Sequence, residues 1–132
     1  MNFQTLNWWA ILVAAASAFA VGGLWYSALF ASLWKKANGF KGDAPVAGAK
    51  TFVISFILSL VMSFNLAMFL NDAKTTAAWG ATAGFLAGFG WVAMGIAIVS
   101  QFERRPWSYV LVNGGYLTVA LTLMGLILGA WR

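Results

Sequence analysis

The chain has 132 residues, 62% of them hydrophobic and only 8% charged, with a formal net charge of +5. A water-facing domain carries about 25% charged residues, so this composition excludes a soluble fold. Cysteine and histidine are absent, which removes disulfides, thiolate nucleophiles, sulfur metal sites and the commonest general base.

All the charged residues lie outside four apolar stretches at roughly residues 7–34, 51–70, 77–102 and 107–131. About 20 apolar residues cross the hydrocarbon core of a bilayer. The expected fold is therefore all-α, a four-transmembrane-helix antiparallel bundle forming a single transmembrane domain over residues 1–132. The first stretch contains a small-residue run, Ala16 to Ala20, that resembles a signal-peptidase site. No Lys or Arg precedes it and the apolar run continues well beyond it, so it reads as the first span. Ala16, Ala20, Gly23 and Ser27 offer this span a small face.

The first loop holds Lys35, Lys36, Lys41, Asp43 and Lys50, with turn chemistry at Asn38-Gly39, Gly42-Asp43 and Pro45. In the second span, Ser55, Ser59 and Ser63 recur at four-residue steps. The next loop is short, with Asp72 or Thr75 placed to cap the following helix. Short connections imply that consecutive spans are antiparallel neighbours. In the third span, Gly80, Gly84 and Gly88 form a double GxxxG. At 100° per residue, Ala87, Trp91 and Gly95 share that face. Glu103, Arg104 and Arg105 precede Pro106, which suits a helix start. In the fourth span, Gly114, Thr118, Thr122, Gly125 and Gly129 lie on one stripe. Small faces permit the close backbone approach that packs helices in lipid, or would serve a partner subunit.

Lys and Arg are concentrated in the first and third loops, against Lys74 and Arg132 elsewhere. The positive-inside rule then puts those loops in the cytoplasm and both termini outside. The basic residues flank spans, so the net charge is a topology signal and no nucleic-acid partner is expected. Trp8, Trp9, Trp34, Trp79, Trp107, Tyr109 and Trp131 fall near span ends, as interfacial aromatics do. Phe19-x-x-Gly22-x-x-Trp25 recurs 66 residues later as Phe85-x-x-Gly88-x-x-Trp91, which allows a duplicated helical hairpin.

No constellation for catalysis is present. Serine has no base beside it at membrane depth, and Asp43, Asp72 and Glu103 belong to three different loops. No metal, catalytic residue or cofactor is expected, nor, without an embedded carboxylate, is proton-coupled antiport. Uncharged polar and aromatic residues remain: Asn7, Asn65, and a set on the cytoplasmic half comprising Trp25, Tyr26, Trp91, Asn113 and Tyr116. An amide in lipid must find a partner, so the plain expectation is interhelical hydrogen bonding. The alternative is a polar cavity lined by that set, with Gly114-Gly115 loosening the fourth helix.

Asn7-Trp8, Gly22 with Leu24-Trp25-Tyr26-Ser27, Phe30 and Trp34-Lys35 resemble the opening of a bacterial membrane family known as domain of unknown function 1761. Phe102-Glu103 with Arg104-Arg105, Asn113 with Tyr116, and Met124-Gly125 fit its later segments. The resemblance covers nearly the whole chain and is most specific at Gly22-x-x-Trp25-Tyr26. It implies four spans in a bacterial cytoplasmic (inner) membrane and supplies no activity. Together these features favour a non-enzymatic protein whose partners are the lipid bilayer, further copies of itself or other membrane proteins. The alternative is a small channel or facilitator for an uncharged or weakly polar solute.

Overall fold

In the computed structural model, residues 3–40 and 48–132 are described. The expected turn at Gly42-Asp43 and Pro45, with Lys41, lies outside them. The protein is all-α, with four helices long and apolar enough to cross a membrane: Trp8–Leu29, Ala49–Phe69, Ala77–Glu103 and Trp107–Ala130. In lipid the backbone has no water to bond, so each span must satisfy its N–H and C=O groups within itself.

The first span comprises α1 (Trp8–Leu24) and a wide π turn (Trp25–Leu29), and a short α2 (Ala31–Ala37) follows it. Asn7 caps α1, its side-chain oxygen accepting from the Ala10 N–H at 3.1 Å. The π turn is closed by the Phe30 N–H donating to the Trp25 carbonyl. Phe30 then leaves helical geometry at φ −128°. The span thus ends before Trp34, the expected limit, and Lys35 and Lys36 sit in the last turn of α2, where they complement the helix dipole.

The second span is α3 (Ala49–Phe69). In the loop after it, Asp72 accepts from the Lys74 N–H and the Thr75 hydroxyl donates to the Leu70 carbonyl. Thr76, rather than Asp72 or Thr75, caps the next helix, accepting from the Trp79 N–H. The third span runs through α4 (Ala77–Ala87), a second π turn (Gly88–Ala93) and α5 (Met94–Glu103). Arg104 ends it in the left-handed conformation, φ 57°. Pro106 lies just before α6 (Trp107–Ala130), as its N-cap.

The spans pack in the order second, first, fourth, third. The closest interface joins α4 to α6. There Gly80 lies against Gly125 and Gly129, Gly84 against Leu121 and Thr122, and Gly88 against Thr118. With no Cβ between them, the two backbones meet directly, the route by which helices associate without a hydrophobic drive. α1 packs on α6 and α3. The Ser63 hydroxyl, fully buried, donates to the Ile11 carbonyl at 2.8 Å, and Phe19 meets Phe52 and Phe56 edge-on.

Two expectations about faces are corrected. The buried side of α1 is Ala10, Ile11, Ala14, Ala15 and Ala18, while Ala16, Ala20, Gly23 and Ser27 are exposed. An alanine-rich helix is small on several sides, so smallness alone does not select the packed one. And α3 and α4, although consecutive, share no substantial packing. Each is committed to a different helix of the central pair, which leaves a cleft between them.

Candidate functional site

At the end of the molecule nearest α2, α1 and α6 exchange aromatic side chains. Gly22 leaves room for the Tyr116 ring: a Cβ there would stand 3.1 Å from the Tyr116 hydroxyl oxygen. One turn on, Gly115 leaves room for Trp25, whose Cζ2 would be 3.0 Å from an added Cβ. Each helix thus offers a glycine to the other's aromatic ring. This accounts for the Gly22-x-x-Trp25 spacing, since residues three apart share a helix face.

The polar atoms of this cluster are all engaged. The Trp25 indole donates to the Val112 carbonyl at 2.9 Å. The Tyr26 hydroxyl donates to Asn113 Oδ1 at 2.6 Å, and Asn113 Nδ2 donates to the Tyr109 carbonyl at 3.0 Å. The Tyr116 hydroxyl donates to the Ala18 carbonyl at 3.2 Å. The rings of Tyr26 and Tyr116 meet edge-on at 5.4 Å, and Trp25 packs on Phe30 at 4.4 Å. Trp25, Tyr26, Asn113 and Tyr116 therefore converge as an interhelical clamp, each half-buried.

Trp91 does not join them. It is 72% exposed and lies beside the cleft between α3 and α4. Gly95 likewise meets nothing within 4 Å of an added Cβ. Both differences have one cause. The π turn at Gly88–Ala93 adds a residue to the turn, and each residue is worth about 100° of rotation. The face that starts at Gly80, Gly84 and Gly88 therefore continues through Ala93 and Ser100, which are buried, and not through Trp91 and Gly95. Ala93 packs on Gly114, 3.0 Å from a Cβ placed there. Hydrophobic periodicity does not locate such a turn. The same turn gives the two Phe-x-x-Gly-x-x-Trp segments different roles. Trp25 stays inside the chain and Trp91 faces out.

Two cavities stand out among the described residues. One, about 480 Å³, lies where the chain ends meet the loop after α3, lined by Thr5, Asn7, Asn71, Trp131 and Arg132 among others. Arg132 spans its rim, donating to the Leu70 and Asp72 carbonyls, and Asn7 donates to the Trp131 carbonyl. The other, about 630 Å³, is the cleft between α3 and α4. Leu121 of α6 contributes to its lining, with Leu66 and Phe69 on one side and Ala83, Leu86 and Val92 on the other. Asn65 and Trp79 also line it.

The sequence model of one family, described as a protein of unknown function (DUF1761), matches residues 9–129. The chain matches no curated protein and no solved structure.

Proposed function

The chain belongs to the DUF1761 family of proteins of unknown function, and on that premise we propose a non-enzymatic protein of the bacterial cytoplasmic membrane that acts by assembling with itself or with other membrane proteins. The supporting observation is how the clamp uses its polar atoms. The indole, phenol and amide groups of Trp25, Tyr26, Asn113 and Tyr116 are bonded to backbone or to each other. They act as helix-to-helix fasteners, each of these polar atoms already bonded within the chain. The outer sides of α3 and α5, including Val53, Ile57, Ile98 and Val99, are exposed and free to meet lipid or neighbouring spans.

In this reading both termini face the outside of the cell, and the Lys- and Arg-rich end lies in the cytoplasm. Native mass spectrometry of the protein released from nanodiscs, combined with solute flux in proteoliposomes, tests the proposal. The expected result is a complex larger than one chain and no flux above empty vesicles. A lone chain that carries glycerol or urea, and loses that flux in Asn113→Leu, would replace assembly with facilitated transport.

A further inference from the structure

We propose that the cleft between α3 and α4 seats one acyl chain of a bilayer ester lipid, with Asn65 and Trp79 donating hydrogen bonds to its ester carbonyl. The inference stands apart from the assembly reading and rests on the cleft alone.

The cleft has an apolar body and a polar end. Leu66, Ala83, Leu86, Val92 and Leu121 supply the body. Asn65 lies one turn before the end of α3, and Trp79 lies in the first turn of α4. Both are therefore close to the membrane surface at the side of the loop that joins these helices. Both are exposed in the cleft. Among the described residues, neither the Asn65 amide nor the Trp79 indole N–H has a hydrogen-bond partner. An amide without a partner in hydrocarbon costs several kcal/mol. An ester carbonyl at the boundary of the hydrocarbon supplies the missing acceptor at the right depth.

Length and hydrogen bonding select the occupant. From Trp79 to Trp91 the cleft follows twelve helical steps, roughly 18 Å, close to the ~15 Å thickness of one leaflet's hydrocarbon. An acyl chain can follow that length from an ester group at the Asn65 and Trp79 end. A transmembrane helix of a second copy bonds its carbonyls along its own backbone and has none to spare for these two donors, whereas an ester carbonyl is a free acceptor.

The test uses the full-length protein in phosphatidylcholine–phosphatidylethanolamine vesicles doped with a diacyl phospholipid carrying a diazirine in one acyl chain. Labelled residues are mapped by mass spectrometry after irradiation. Labelling is expected to concentrate on Leu66, Ala83, Leu86 and Ala87 over the outer residues Val53 and Ile57. Asn65→Leu, and separately an ether-linked probe that lacks the carbonyl, should each lower cleft labelling between roughly threefold and tenfold. Ala83→Phe should block it by filling the cleft. If that variant fails to fold, Asn65→Leu decides, because the Asn65 side chain bonds to none of the described residues. Uniform labelling around the spans would overturn the proposal. So would labelling indifferent to both Asn65→Leu and the ether probe, or protein–protein cross-links at the cleft in place of lipid adducts.

Discussion

Gly80 of α4 and Gly125 of α6 face each other so closely that a Cβ on either would collide with the other's carbonyl oxygen. The contact is backbone against backbone, so no side-chain rotation relieves an added methyl. Gly80→Ala and Gly125→Ala should each destabilise the protein by about 1–3 kcal/mol or more, the usual cost of overpacking. Gly23→Ala, at a site with open space around it, is the control and should change little. Unfolding in mixed micelles followed by tryptophan fluorescence measures all three.

The clamp between α1 and α6 should contribute modestly to stability. Tyr26→Phe and Asn113→Leu each remove the 2.6 Å bond between the phenol and the amide. Interhelical hydrogen bonds in membranes couple by about 0.6 kcal/mol, at most about 1.7. A double-mutant cycle on these two positions should give a value in that range. Coupling near zero would mean that the ring contact between Tyr26 and Tyr116 carries the interface instead.

Ser63 ties α3 to α1 through one bond to the Ile11 carbonyl, in a fully buried position. Ser63→Ala should cost about 0.5–1.5 kcal/mol, with the Ile11 carbonyl still bonded along its own helix. Ser63→Leu should cost more, because α3 packs chiefly on α1 and a larger side chain pushes it away. Helix separation would appear as loss of a disulfide cross-link engineered between neighbouring positions of the two helices.

The π turn in the third span makes a register prediction. Removing Gly90, which has nothing within 4 Å of an added Cβ, should convert Gly88–Ala93 to ordinary α-helix. Ala93 then follows Gly88 by four residues and stays on the α6 face. The deletion variant should fold and melt close to the parent protein. Collapse of the fold would show that the wide turn carries packing of its own.

Span topology is open to cysteine labelling. Lys74→Cys should react with an impermeant maleimide added outside intact cells, and Lys36→Cys only after permeabilisation. The reverse pattern would invert the orientation, against the Lys and Arg distribution.

Much of this architecture is determined by the sequence itself. Charge-free runs of about 20 residues specify four helical spans, because a run that long bonds its own backbone in lipid as a helix, whereas a barrel strand needs only about ten residues. The Gly80, Gly84 and Gly88 row and the Gly125 and Gly129 row are visible as spacing, and Trp25, Tyr26, Asn113 and Tyr116 as polar or aromatic exceptions within apolar runs. Tertiary structure decided which of these meet. An extra residue in the turn at Gly88–Ala93 swung Trp91 and Gly95 off the packed face, a rotation that regular periodicity does not encode. The order of the helices was likewise decided in three dimensions. Loop length ties α3 to α4 in the chain, but α3 found its close contact on α1 and α4 on α6. Close packing in lipid depends on matched backbone surfaces, and that matching left open the cleft that holds Asn65.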